Sequence, residues 1–171
     1  MDYKIKKAKL EHLKDIQRLH KSLFDNEIKN FNKSLNPKWI FGKAGTQYYK
    51  DLINKRNLCA FVALVGNKVA GYLAGEIIRE PVGWRKIKKQ AELDNMFVLP
   101  QYRGKKIGTG LVKAFLSWAK KKEATNIKVA ASAKNQKAIS FYQKHGFKDY
   151  ELILEINFAP AAISKKGRKK N

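Results

Sequence analysis

The sequence predicts an α/β (α+β) fold, with helices and strands interleaved around one sheet, and three stretches predict it. Leu10, Leu13, Ile16, Leu19 and Leu23 recur at spacings of three and four, the pattern of a helix with one buried face. Two β-branched and aromatic runs, 58–65 and 69–78, flank the turn dipeptide Gly66-Asn67 and so form a hairpin. The stretch 93–111 joins an apolar run with strand character to a short, basic, glycine-bearing loop and then to a helix pattern that begins near Ile107.

Residues 3–8 open the chain as a short strand in which Tyr3, Ile5 and Lys7 alternate with their neighbours. The first helix covers 11–26. Its His12 and His20 have no partner at metal-binding spacing and are expected at a solvent-facing edge. Residues 27–45 lose the period around Asn36-Pro37 and Gly42. Phe31, Trp39, Ile40 and Phe41 either pack beneath a loop there or wall a substrate site. A helix resumes over 46–54. In the second hairpin strand, Gly71 and Gly75 mark close approach of another backbone. Residues 79–90 form a basic insert around Trp84, either an exposed tip or a lip over the site. A central strand follows over 91–98.

Leu111, Val112, Phe115, Leu116 and Ala119 give the next helix its buried stripe, which runs out in three lysines at 120–122. Residues 127–131 read as a strand, 136–145 as a helix closed by Gly146, and 147–158 as a last strand. Beyond Pro160 the chain is basic with nothing to bury. The expected organisation is one domain over 1–158 and a disordered tail over 159–171.

With 171 residues and 44% hydrophobic content, the chain is long enough for one well-formed core. A formal net charge of +23 favours phosphates, nucleic acid or acidic surfaces, unless the lysines mainly coat a solvated face. The lone Cys59 sits in an apolar run and reads as a small core hydrophobe. One cysteine excludes an intrachain disulfide, which suits a reducing compartment. No apolar run approaches the ~20 residues of a membrane helix, and the N-terminus lacks a secretory segment. A soluble, cytoplasmic protein that makes no membrane contact is expected.

The stretch 93–111 is shaped to hold an anion. Glycines let backbone amides approach a ligand, the open N–H groups of a first helical turn point outward, and the helix dipole favours negative charge there. Arg103, Lys105 and Lys106 add positive charge at the same place. A pyrophosphate cradle is the chemistry these residues suit.

Two motifs then resemble the GNAT N-acetyltransferase superfamily. One is the acyl-CoA signature Arg/Gln-x-x-Gly-x-Gly/Ala, here Arg103-Gly104-Lys105-Lys106-Ile107-Gly108, preceded by Val98-Leu99-Pro100-Gln101-Tyr102. The other is Asn-x-x-Ala-x-x-x-Tyr-x-x-x-Gly-Phe, matched by Asn135, Ala138, Tyr142, Gly146 and Phe147. The run Asp-Asn-Met-Phe-Val before the cradle and Phe-Tyr-Gln-Lys-His-Gly after it look most like the diamine acetyltransferase branch. Lys106 stands where the signature has its first glycine. If that position takes positive φ, a lysine there costs about 1–2 kcal/mol, while the amide that a cradle uses is present in either case.

The resemblance implies a mixed, mostly antiparallel sheet of six to seven strands flanked by about four helices. It implies an enzyme that moves an acetyl group from acetyl-CoA to a primary amine, in a ternary complex. Backbone groups of Met96, Phe97 and Val98 would pair with the pantetheine and polarise the thioester carbonyl. Arg103, Gly104, Lys105, Lys106, Ile107, Gly108 and Thr109 would hold the pyrophosphate. Asn135, with Ala138 in the same motif, would bond the pantetheine arm or neighbouring backbone.

An attacking alkylammonium of pKa ~10.4 must first lose a proton. Glu92 and Asp94, two apart on a strand, face one side and are the available general bases, directly or through water; by the resemblance, Asp94 aligns with the branch's acidic position and comes first, with Glu92 second. By the resemblance Tyr142 is the acid that protonates the departing thiolate. No metal is called for. A small amine and a protein Lys or N-terminus both remain open as acceptor, as does an acidic or nucleic-acid-associated partner. Members of this superfamily often form dimers. A separate alternative is a catalytically weak chain of this fold serving as a basic nucleic-acid or ribosome-binding module.

Overall fold

The computed structural model describes residues 2–79 and 86–156. Its sheet runs in the order of the chain, with β1 (Lys4–Lys7), β2 (Leu58–Val65), β3 (Lys68–Arg79) and β4 (Lys89–Val98) antiparallel, and β5 (Asn126–Val129) parallel to β4. Four α-helices accompany it: α1 (Leu13–Asn30), α2 (Lys43–Asn54), α3 (Ile107–Lys121) and α4 (Gln136–Gln143).

The alternation of β2 and β3 divides the core in two. Val62 and Tyr72 face α1 and α2, which bury Ile16, Leu19, Tyr49 and Leu52 against them. Their neighbours Ala63 and Leu73 face α3, where Leu111, Val112, Phe115 and Ala119 of the stripe read from the sequence are buried together with Ile107, and Leu116 is partly buried. Cys59 is buried in this second core.

The glycines of β3 are demanded by backbone contact. A Cβ on Gly71 would lie 2.9 Å from the Phe97 carbonyl oxygen, and one on Gly75 would lie 2.4 Å from that of Glu92 and 2.6 Å from the Phe115 ring. Gly75→Ala is therefore expected to cost about 2–3 kcal/mol in urea unfolding, because strand β4 and a buried ring must both give way.

Several expectations need correction. The sheet has five strands among the described residues, not six to seven, because 147–156 form no strand; 157 and 158 lie outside the described residues. Leu152, Ile153, Leu154 and Ile156 are instead exposed. Local propensity makes no strand without a hydrogen-bonded neighbour, and β5, only four residues long, offers a short edge. Helix α1 runs to Asn30, so the irregular segment is shorter than 27–45, and it contains a 3-10 turn over Pro37–Phe41.

His20 is not at a solvent edge. It is 2% exposed, its Nδ1 lies 2.7 Å from Tyr49 Oη, and burial lowers its pKa to about 4, so the ring is neutral and shares one hydrogen bond with the phenol. Trp84 and most of the basic insert, like the tail beyond 156, lie outside the described residues.

Candidate active site

Strands β4 and β5 are paired only over Gln90–Leu93 and Asn126–Val129. Beyond Leu93 the strands part, so residues 94–98 of β4 keep β3 on one side and have no strand on the other among the described residues. Met96, Phe97 and Val98 lie on this free edge. The chain then turns through a 3-10 segment, Pro100–Tyr102, and enters α3 at Ile107. Cradle and free edge are therefore continuous.

The first intrahelical bond of α3 runs from the Gly110 N–H to the Lys106 carbonyl at 3.0 Å. Helix geometry leaves the amides of Ile107, Gly108 and Thr109 without intrahelical acceptors, and the N-cap residue, Lys106, supplies no side-chain cap. Three N–H groups thus point out at the dipole's positive end, a ready anion site. Around them, Arg103 donates from Nε to the Val98 carbonyl at 2.9 Å, and its guanidinium lies over the Phe97 ring, 5.2 Å from the centroid. Lys105 donates to the Gln101 carbonyl at 3.1 Å. These two cations brace the loop as well as charging it.

Lys106 does adopt the left-handed conformation, with φ 62° and ψ 7°. Its carbonyl is held from two sides, by the Gly110 amide and by Tyr3 Oη at 3.1 Å, which explains how the strained residue persists. A lysine in αL costs about 1–2 kcal/mol, and glycine loses about 0.5–1 kcal/mol more backbone entropy on folding. Lys106→Gly is therefore expected to stabilise the fold by about 0.5–1 kcal/mol in urea titration. A loss of stability would show that the lysine side chain, not the backbone, pays for the conformation.

The acidic pair lies on the face of the sheet that α1 and α2 cover. A bulge leaves Asp94 unpaired between Leu93, opposite Gly75, and Asn95, opposite Ala74. Glu92 sits opposite Glu76 on β3, a residue the sequence reading did not single out. Asp94 thus has two carboxylates beside it. The surrounding protein, and then the charges of Glu76 and Glu92, raise its pKa to about 7. Asp94 and Glu92 form no ion pair among the described residues.

Next to it, Asn95 Nδ2 donates to Tyr48 Oη of α2 at 3.2 Å, and Tyr48 packs on Trp39 with ring centroids 5.6 Å apart. Of the aromatic segment, Ile40 is fully buried, as the packing alternative expects, while Trp39 is 39% exposed. Only the tertiary register brings Glu76, Tyr48 and Trp39 here. Nothing in their local sequence carries that signal.

Tyr142, on α4, packs edge-on to Phe141 and Phe147. Burial raises its pKa to about 12, so it is protonated at neutral pH. It lies near enough to Tyr72 of β3 to add to the forces, burial first, that disfavour ionisation of that phenol. Asn135 caps α4, its Oδ1 accepting from the Ala138 amide at 3.1 Å. The Asn-x-x-Ala spacing thus fixes where α4 begins. Gly146, at φ 90°, follows α4 as the sequence predicted.

Comparison with known proteins adds to this geometry. The profile of the acetyltransferase (GNAT) family matches residues 19–147. An uncharacterised N-acetyltransferase of Methanocaldococcus jannaschii is 31% identical over 62% of this chain and 46% of its own length. An aminoglycoside N(6')-acetyltransferase type 1 of Acinetobacter baumannii is 30% identical over 63% of this chain and 75% of its own. The chain spans less than half the length of the archaeal relative and of two mouse N-acetyltransferases that it also resembles. Among solved structures, an aminoglycoside N-acetyltransferase in complex with CoA superposes with a TM-score of 0.74 at 18% identity, over 92% of this chain and 95% of that one, a likeness of fold. No described helix is long and apolar enough to cross a membrane.

Proposed function

This chain belongs to the acetyltransferase (GNAT) family, and on that premise we propose that it transfers an acetyl group from acetyl-CoA to a primary amine. The observation that carries the reading is the parting of β4 from β5 beyond Leu93, which leads a free strand edge into the three open amides of α3. An extended amide-bearing arm fits the edge, and a diphosphate fits the helix end. Bound acetyl-CoA supplies an activated acyl group. Every other requirement falls on side chains and amides of this chain.

The amides of Ile107, Gly108 and Thr109 hold the diphosphate, with Arg103, Lys105 and Lys106 around them. The backbone of Met96, Phe97 and Val98 pairs with the pantetheine and offers N–H groups to the thioester oxygen. Asn135 and Ala138 build the opposite wall through the α4 cap. Asp94 takes the ammonium proton, with Glu92 and Glu76 holding its basicity near neutral and attracting the cationic acceptor. Tyr142 faces the leaving thiolate as a hydrogen-bond donor.

The local negative charge supports a cationic amine despite the formal net charge of +23. Screening over ~8 Å lets near carboxylates outweigh a distant field.

The test is acetyl-CoA-dependent release of free thiol with a panel of small amines and lysine peptides, run beside RNA binding at several salt concentrations. Amine-dependent thiol release supports the reading. RNA binding with a steep salt slope and no turnover would replace it by a basic binding module.

A further inference from the structure

The first turn of α3 is held at two successive residues, by α4 and by the turn that follows it. Gly108 lies beneath Phe141, whose ring carbon Cζ would be 3.2 Å from a Cβ there. Thr109 Oγ1 lies 3.2 Å from Nε2 of His145, and Nδ1 of the same ring lies 2.8 Å from the Phe141 carbonyl oxygen.

The hydrogen positions follow from donor chemistry. A carbonyl only accepts, so Nδ1 carries the hydrogen. Nε2 of the neutral ring is then an acceptor, and the Thr109 hydroxyl donates to it. The ring is also packed against Phe141, with centroids 4.5 Å apart. Phe141 and His145 therefore act on α3 as one unit.

We infer that His145 is a positioning residue for the diphosphate end of acetyl-CoA, acting through Thr109 to fix the first turn of α3. The inference rests on the reading of that turn as the diphosphate site. Thr109 carries the last of the three open amides, and tethering its side chain fixes the direction in which that N–H points. The tether also consumes the hydroxyl hydrogen, so Thr109 meets the anion through its amide. Tyr142 lies one turn earlier on α4. The helix that bears the phenol for the acyl end and the turn that follows it, joined by the bond from His145 to the Phe141 carbonyl, thus also fix the grip on the far end.

The experiment is calorimetric titration of the full chain with CoA, using the unaltered protein, His145→Ala, Thr109→Val and the double variant, with turnover of S-acetylpantetheine, which lacks the diphosphate, measured for His145→Ala. Each single change is expected to weaken CoA binding about three- to tenfold, the range of one hydrogen bond. The double variant should be no weaker than the weaker single one, because both remove the same tether. S-acetylpantetheine turnover should stay within about twofold, since a role confined to the diphosphate end leaves the rest of the site intact.

Thr109→Val removes only the hydroxyl, so it remains informative if His145→Ala folds poorly. Unchanged CoA affinity in Thr109→Val, additive losses, or an equal loss with S-acetylpantetheine would each overturn the positioning role alone. Failure of the unaltered protein to bind CoA would overturn the site reading and this role with it.

Discussion

Asp94→Asn is expected to lower kcat by about 10²–10³-fold, the usual size of a positioned general base. With a pKa of about 7, Asp94 is half ionised near neutrality. Only the carboxylate accepts the ammonium proton, so kcat/KM of the unaltered protein should rise with pH through about 7. That step should vanish in Asp94→Asn, leaving only the slow climb toward the amine's own pKa of ~10.4. A variant that keeps the step near 7 would transfer the role to Glu92 or to solvent.

The same residue has a stability signature of definite sign. Its folded pKa lies above the ordinary 3.8, so ionisation opposes folding: the cost is absent below about pH 4 and complete above about 7. Asp94→Asn should therefore stabilise the protein at pH 8 and leave it unchanged at pH 4. Gaining stability while losing turnover is the mark of a group held in place for chemistry.

Tyr142→Phe should reduce kcat about 10²-fold, with CoA affinity within about twofold, because the lost hydroxyl acts only on the departing sulfur. The pKa of about 12 limits what the phenol does. Complete proton transfer to a thiolate, whose conjugate acid lies near ~8.5, is uphill by about 4–5 kcal/mol. Tyr142 therefore contributes mainly a hydrogen bond to developing negative charge, and the thiol gains its proton afterwards. Kinetics as a function of leaving-group basicity check this: thioesters of more acidic thiols, which leave without help, should be less sensitive to Tyr142→Phe. Equal sensitivity would place the phenol elsewhere in the reaction.

Much of the fold was legible because period and punctuation agreed. The leucine stripe located α1, Gly66-Asn67 located the β2–β3 turn, and Gly71 and Gly75 announced the backbone contacts they meet. The cradle was legible because its chemistry is local: an N-terminal helical turn needs only its own amides. What failed were features decided by distant residues. His20 sits on a helix whose pattern would allow exposure, and only Tyr49 of α2 and the Tyr72 face of β3 show why it is inside. Residues 147–156 have strand composition but pair with no strand among the described residues.

In the site, Asp94 and Glu92 were readable as neighbours on one strand. Glu76 was not, because strand register alone sets it opposite Glu92. Asn135 was expected to bond the pantetheine arm or neighbouring backbone, and its Oδ1 accepts from the Ala138 amide at the start of α4. The His145–Thr109 tether had no sequence signal, since the two residues are 36 positions apart.

The most direct measurement is a titration of isotope-labelled protein with CoA, followed by amide ¹H–¹⁵N spectra. The largest shifts should fall on Ile107, Gly108 and Thr109, where three N–H groups gain an anionic acceptor, with a second set along residues 96–98 on the free edge of β4. Saturable binding that leaves the α3 amides unmoved, or no binding at all, would contradict the account.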